Sequence, residues 1–241
     1  MRNCLNCNFD FSGNYCNNCG QKKIEGTLSI KHVFTDFTKV IFLFDTTLYH
    51  TLKEMLLRPG KLSRAFLEGK QKSYLSPFQF FLLFMTIHLI VLNYFGESIF
   101  SSINNELQLK GDDISNVELI QSYVRKNLNV LYFILTPIIA LSIKLFYRKI
   151  KYNYSEILIF SFYIMGVSFF LSSIIILISQ IEAKLFILKS MIMLVYFPFA
   201  IIKFTQSKSI IGIVKSFLTV ILSYFLFALA ILLIFSLYVY A

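Results

Sequence analysis

The sequence predicts an all-α integral membrane protein with five transmembrane helices, amphipathic surface helices and a small N-terminal cysteine ribbon. Three observations lead to this class. Hydrophobic residues make up 56% of the 241-residue chain, and its mean hydropathy is +0.67, whereas soluble domains contain about 45–50% apolar residues. Long apolar runs fill most of the chain after residue 77. All four cysteines lie within the first nineteen residues.

Five apolar runs are long enough to cross a bilayer. They cover residues 78–95, 128–147, 157–181, 185–204 and 210–240. Ser76 to Gln79 have the residue pattern of a helix start, which places the first span directly after this point. The last run exceeds the required length, so it must tilt or begin along the membrane surface.

Loop charges predict the orientation of the spans, because basic residues beside a span mark the cytoplasmic side. The net charge is +10, and residues 1–77 contain 11 Lys and Arg against 6 Asp and Glu. Residues 97–127 instead contain three basic and five acidic residues, which predicts an outside loop. We therefore expect a multi-pass protein of the bacterial cytoplasmic (inner) membrane, with the N-terminus inside and the C-terminus outside. The first twenty residues contain no apolar core of a cleavable signal peptide.

The four cysteines form two C-x-x-C pairs separated by eight residues. They are Cys4, Cys7, Cys16 and Cys19. This spacing predicts one zinc ion held by four thiolates, and a site with every position filled by protein is structural rather than catalytic. Two disulfides are the alternative if the compartment is oxidising, and a redox C-x-x-C is a third.

The turns around these cysteines allow two further predictions. A residue that tolerates positive φ is needed directly after the second cysteine of each pair, and Asn8 and Gly20 fill these positions. Residues 8–15 contain three aromatic residues and a Ser-Gly-Asn turn sequence, which predicts a short hairpin between the pairs.

The linker between ribbon and spans has the periodicity of amphipathic helices. Residues 29–44 carry one apolar stripe, and this helix is expected either in the headgroup plane or against the membrane bundle. Residues 46–57 repeat the pattern up to Pro59-Gly60, which must break the helix. The stretch 61–70 then predicts a further short helix, which is closed by Gly69 at the position after its last helical residue.

Five basic residues surround this helix break. They are Arg58, Lys61, Arg64, Lys70 and Lys72. One interpretation is a general basic collar on the inner leaflet, and another is a specific site for a phosphate or lipid headgroup. The lipid bilayer is the expected partner in both. Nucleic acid is not expected, because the charges are dispersed among apolar residues.

His88 lies inside the first predicted span and is the polar candidate of the membrane body. Such a histidine either hydrogen-bonds a neighbouring helix or belongs to a transport path. The sequence contains no H-E-x-x-H or G-x-S-x-G motif and no intramembrane aspartate pair. We therefore expect a protein that is not an enzyme.

Two stretches carry a resemblance to a known family. "YCNNCGQ" (15–21) and "TLKEMLLRPGKLSRAFLEGKQKSYLSPFQFFL" (51–82) resemble the bacterial zinc-ribbon membrane proteins of domain of unknown function 3667. This resemblance implies the architecture of a zinc ribbon followed by membrane spans, and it implies no activity. More remotely, "NYSEILIFSFYI" (153–164) and the five spans are similar to Yip1-type membrane proteins, which implies a membrane-organising role.

The domain organisation expected from the sequence has three parts. Residues 1–24 form the zinc ribbon, 25–76 the amphipathic helices with the basic collar, and 77–241 the five-helix membrane domain. We expect the ribbon to act as a cytosolic interaction or regulatory module for a cytosolic or membrane protein partner. A small transporter or channel, with a path lined by His88 and by spans kinked at prolines, is the alternative.

Overall fold

The computed structural model describes residues 2–23, 46–106 and 126–240. The elements in chain order are β1 (Arg2–Asn3), β2 (Asp10–Phe11), α1 (Thr46–Leu57), α2 (Pro59–Leu67), α3 (Pro77–Glu106), α4 (Leu128–Phe146), α5 (Tyr154–Ile178), α6 (Leu188–Met191), α7 (Phe197–Thr205) and α8 (Ile210–Tyr240). A 3-10 turn (Ala183–Ile187) precedes α6, and a π-helical turn (Ile192–Tyr196) joins α6 to α7. The amphipathic helix predicted over 29–44 lies outside the described residues, as does the central part of the 97–127 loop.

Five segments of the described chain are long and apolar enough to cross a membrane. They are Pro77–Gly96, Leu128–Phe146, Tyr154–Ile178, Lys184–Thr205 and Ile210–Ser236. Each of the five predicted runs coincides with one of these segments. The helical fold of a multi-pass membrane protein is therefore confirmed.

Helix α5 is the centre of the bundle. Every residue from Ile157 to Phe169 is buried, and the helix packs against α3 on one side and α4 on another. The ring of Phe81 on α3 contacts Phe133 of α4 at 5.2 Å and Phe162 of α5 at 5.1 Å between ring centroids. Because lipid is as apolar as these side chains, close packing rather than transfer from water holds such helices together.

Local signals fix where two of these helices begin. The Asn153 side chain accepts a hydrogen bond from the Glu156 amide, and the Glu156 carboxylate accepts one from the Asn153 amide, both at 2.8 Å. This reciprocal capping box starts α5. Pro198 is the second residue of α7, which starts directly after the π-helical turn, and the wider turn gives room for a ring that cannot continue a regular helical hydrogen-bond pattern.

The short helices α1 and α2 belong to the core of the bundle. Met55 and Leu62 are completely buried, and the Phe66 ring meets the Tyr163 ring of α5 edge-on at 5.8 Å. The Tyr196 hydroxyl donates to the Met55 carbonyl at 3.2 Å. These two helices therefore pack against the bundle instead of lying free in the headgroup layer.

Pro59 and Gly69 determine the two ends of helix α2. Pro59 is its first residue, two positions earlier than the predicted start at Lys61, because proline suits the first turn of a helix. At its end Gly69 has a φ of +104°, and the Lys70 amide donates to the Ala65 carbonyl at 2.9 Å. The predicted role of Gly69 is thereby confirmed.

The connections predicted to lie inside meet at one end of the bundle. The Tyr147 hydroxyl donates to the Gly212 carbonyl at 2.7 Å, and the Tyr152 ring stacks on Phe204 at 4.8 Å. These contacts bring the α4–α5 connection to the end of α7 and the start of α8. Exposed basic side chains of these connections are Arg148, Lys149, Lys151, Lys203 and Lys208. We call this the basic end.

Candidate metal centre and its docking

Each C-x-x-C pair is the turn of its own small hairpin, which we call a knuckle. Strands β1 and β2 flank the first knuckle and pair Asn3 with Asp10. An isolated bridge between Tyr15 and Lys22 flanks the second. The hairpin predicted within residues 8–15 is therefore wrong. The strand pairing closes each knuckle from outside instead of joining the two knuckles.

The two knuckles have the same backbone hydrogen bonds. The Cys4 amide donates to the Phe9 carbonyl at 2.9 Å, and the Cys16 amide donates to the Gln21 carbonyl at 2.9 Å. Each turn then bends back through a residue with positive φ, +59° at Asn8 and +69° at Gly20. The prediction for these two positions is confirmed.

The knuckles bring the four thiols together. All four sulfur atoms lie within 4.8 Å of one another, with Cys4 and Cys19 at 3.6 Å and Cys7 and Cys16 at 3.6 Å. A tetrahedral zinc ion with bonds of about 2.3 Å would separate its sulfurs by about 3.8 Å, whereas a disulfide needs about 2.05 Å. The four free cysteines therefore fit one tetrahedral metal ion.

The thiols of Cys7 and Cys19 differ in pKa, and therefore in how readily each becomes a thiolate ligand. The backbone of Phe9 hydrogen-bonds the sulfur of Cys7 and lowers the pKa of that thiol to about 6. Burial raises the pKa of the Cys19 thiol to about 11. A metal ion must therefore displace a proton from Cys19 at neutral pH. Arg2 and Lys22 line the same cavity as Cys4, and their positive charges offset the excess negative charge of four thiolates.

The ribbon docks on the loop between α2 and α3 through Gln21. The Gln21 side-chain Nε2 donates to the Gly69 carbonyl at 2.7 Å, and its Oε1 accepts from the Lys72 amide at 3.2 Å. Gln21 is only 6% exposed. Its amide thus pairs with the loop backbone through both of its polar atoms, as a neighbouring strand would.

The first knuckle contributes the other half of this contact. A Cβ added to Gly69 would lie 2.5 Å from the Cδ1 atom of Leu5, so Leu5 covers the glycine face of the loop. The Ser73 hydroxyl donates to the Asn6 side-chain oxygen at 2.8 Å. We call residues 69–73 the docking loop. No local sequence pattern indicates these contacts of Leu5, Asn6 and Gln21, because the hydrogen-bonded partners lie 48 to 67 positions apart.

The five predicted collar residues separate into two groups. Arg58, Lys61, Lys70 and Lys72 are exposed, as a headgroup collar requires. Arg64 is different, because its guanidinium donates to the carbonyls of Lys203 at 2.5 Å and Phe204 at 3.2 Å. It satisfies the last carbonyls of α7, which have no partner within their helix. Arg64 therefore has a helix-capping contact that the sequence did not predict, and its place in the headgroup collar stays a prediction.

Gly60 makes the Arg64 contact sterically feasible. A Cβ at this position would lie 2.1 Å from the carbonyl oxygen of Lys203 and 2.6 Å from the amide nitrogen of Phe204. The first turn of α2 thus rests directly on the backbone of α7. Any larger side chain at residue 60 would push the two helices apart.

Residues 45–89 match the profile of a family described as protein of unknown function (DUF3667). This matching segment of 45 residues, out of 241, is what the chain shares with the DUF3667 family. No curated protein and no solved structure matches the chain, so the more remote similarity to Yip1-type proteins stays a prediction.

The segment that matches DUF3667 contains α1, α2, the docking loop and the first part of α3. Its motif residues make contacts that hold these parts together. Thr51 accepts a hydrogen bond from the Leu75 amide at 3.0 Å, and Tyr74 stacks on His50 at 5.4 Å between ring centroids. The Tyr163 hydroxyl of α5 donates to the Leu75 carbonyl at 2.6 Å. The DUF3667 segment therefore connects the ribbon to the membrane bundle.

His88 lies at the end of the DUF3667 segment and has a hydrogen-bond partner at each ring nitrogen. Nδ1 is 3.3 Å from the Ser173 hydroxyl, and Nε2 is 3.3 Å from the Tyr132 hydroxyl. Ser173 gives its own proton to the Phe169 carbonyl at 2.8 Å. It therefore accepts from Nδ1–H, which leaves Nε2 to accept from Tyr132. The ring is 1% exposed and has the contacts of a structural interhelical link.

Proposed function

We propose that this chain is a nonenzymatic inner-membrane protein whose ribbon is a cytosolic interaction or regulatory module on a five-span membrane domain. The observation that carries this proposal is the closed set of four thiols in a ribbon that docks on the DUF3667 segment. A site whose four positions are all protein ligands has no open position for a substrate or an activated water. Its contribution is to fold the ribbon.

We propose zinc as the ion, with Cys4, Cys7, Cys16 and Cys19 as ligands. Four thiolates in a tetrahedral arrangement suit zinc, and the sulfur separations of 3.6 Å agree with its bond lengths. The basic end of the bundle supports placing the ribbon on the cytoplasmic side, where thiols stay reduced and anionic lipids attract cations.

The contacts of the ribbon leave part of its surface free for a partner. Leu5, Asn6 and Gln21 face the docking loop. Phe9 and Tyr15 are 47% and 58% exposed, and aromatic side chains are enriched in protein interfaces. We propose that a partner contacts the ribbon on this aromatic surface.

The transporter alternative has less support. A histidine that takes part in transport must be able to change partners, whereas both ring nitrogens of His88 are matched by hydroxyl groups of α4 and α5. These contacts support a packing role for His88.

Crosslinking mass spectrometry in native membranes tests the proposal. The intact chain is compared with a Cys16→Ser, Cys19→Ser variant, and zinc content is measured for both. Asn17→Ser is the matched control, because it changes an exposed residue of the same knuckle and keeps all four thiols. Partners that crosslink only to the intact chain and to the control would support the interaction module. An identical crosslink map after zinc loss would contradict it.

A further inference from the structure

We propose that the metal ion controls whether the ribbon stays docked on residues 69–73, so that metal loss releases the docking loop. This inference rests on the proposed function for the presence of the metal and adds the consequence of losing it. The ribbon is then held by a contact within the same chain, and the metal state of the ribbon determines whether this contact forms.

The docking surface of the ribbon comes from both knuckles. Leu5 and Asn6 lie between the two cysteines of the first knuckle, and Gln21 lies two residues after Cys19, within the second knuckle. Leu5 covers Gly69, Asn6 accepts from Ser73, and Gln21 bonds the loop backbone. These contacts form together only when the two knuckles hold a fixed position relative to each other.

Backbone pairing does not join the knuckles. Within residues 2–23, strand pairing links Asn3 to Asp10 around the first knuckle and Tyr15 to Lys22 around the second. The knuckles meet at the thiols and at the side chain of Phe11, which packs beside Cys4 and Cys16. A ribbon of this size cannot bury a sufficient apolar core. The shared metal ion is therefore the main tie between the two halves of the docking surface.

The docking loop is anchored at both ends but held in its centre by the ribbon. At one end Gly69 closes α2, and at the other Leu75 bonds Thr51 and Tyr163. Between them, the Lys72 amide donates to Gln21. Loss of the ribbon contact would free the Lys72 amide, whereas the Gln71 and Tyr74 amides keep their bonds within the loop. The exposed Lys70 and Lys72 side chains of this stretch are basic. Metal loss would therefore change how this basic loop is presented while the bundle stays intact.

Hydrogen exchange measured by mass spectrometry on the full chain in nanodiscs tests this inference. The readout is the exchange rate of the Lys72 amide in peptides that cover the docking loop. Three states are compared: zinc-loaded, stripped with a chelator, and reloaded with zinc. We expect exchange to become about tenfold faster on stripping, the effect of losing one hydrogen bond of about 1.4 kcal/mol, and to recover on reloading. The amides of α2 serve as the internal control for an intact bundle.

Two variants separate docking from metal binding. Gln21→Ala removes the side-chain contact and leaves the four ligands, so it should accelerate exchange at Lys72 with zinc still bound. Asn17→Ala changes an exposed residue of the same knuckle and should exchange like the unaltered chain.

Two results would overturn the inference. Unchanged exchange at Lys72 after complete zinc removal would overturn the inference while leaving the metal site intact. Failure of the chain to bind zinc at all would overturn both this inference and the proposed zinc ribbon, and zinc content measured in the same samples distinguishes the two cases.

Discussion

Gly60→Ala should destabilise the protein, because α2 contacts the backbone of α7 at this residue. An added Cβ would lie 2.1 Å from the Lys203 carbonyl oxygen, whereas ordinary contact begins at 3.4 Å. Backbone atoms cannot rotate away from this clash as a flexible side chain can. The two helices must therefore separate by about 1 Å.

The magnitude follows from three effects. Overpacking of this kind costs about 1–3 kcal/mol. The separation also stretches the Arg64 hydrogen bond to the Lys203 carbonyl, and hydrogen bonds to charged groups contribute about 1.5–3 kcal/mol. Alanine, however, favours a helix over glycine by about 1 kcal/mol. We expect a net loss of about 2–4 kcal/mol in the free energy of unfolding.

Thermal unfolding of the purified full chain in detergent, followed by circular dichroism, measures this effect. Lys61→Ala is the matched control, because this side chain is exposed on the same helix. A lower midpoint for Gly60→Ala alone would support the close approach of α2 and α7. A variant as stable as the unaltered chain, or one stabilised by the helix preference of alanine, would refute it.

Three further predictions concern the capping arginine, the intramembrane histidine and the metal site. Arg64→Lys should lower the free energy of unfolding almost as much as Arg64→Ala, by about 1–3 kcal/mol, because an ammonium group does not reproduce the planar guanidinium fork. Equal unfolding midpoints for both variants and the unaltered chain would contradict the capping role. His88→Ala should cost about 2–4 kcal/mol in the same assay by leaving a cavity and a Tyr132 hydroxyl without its acceptor, while ion flux in proteoliposomes stays unchanged. Altered flux would favour the transporter. Zinc affinity, measured by competition with a chromophoric chelator, should fall with falling pH because protons compete for the thiolates. The slope of log affinity against pH should increase by about one below pH 6, where Cys7 also takes up a proton. A pH-independent affinity would argue against thiolate ligands.

Features that depend on local sequence could be predicted. The spans follow from the length of apolar runs, and the ends of α1 and α2 follow from Pro59, which cannot continue a helix, and Gly69, which adopts positive φ without strain. Asn8 and Gly20 were identified because the knuckle geometry itself requires positive φ. The proximity of the four thiols follows from their spacing.

Features that depend on tertiary contacts could not be predicted. Arg64 contacts Lys203 across 139 positions, and its charge alone equally suits a lipid headgroup. The turn sequence around Gly13 suggested a hairpin, but the knuckles fold back on their own flanking residues and leave this stretch as a connection. Gln21 ends the quoted stretch 15–21, but its contact with the docking loop was not predictable, because a side-chain amide that pairs with a backbone resembles any other glutamine in the sequence.

The packing of α1 and α2 against the end of α7 has a consequence for biosynthesis. Arg64 and Met55 obtain partners from residues made about 140 positions later, namely Lys203 and Tyr196. While the ribosome is still translating the central spans, the apolar faces of the two short helices have no such cover. The two helices must remain at the membrane surface or bound to a chaperone until the fourth span is inserted. Chains that stop before this span should be recognised as incomplete by cellular proteases, even though their earlier spans are already in the bilayer.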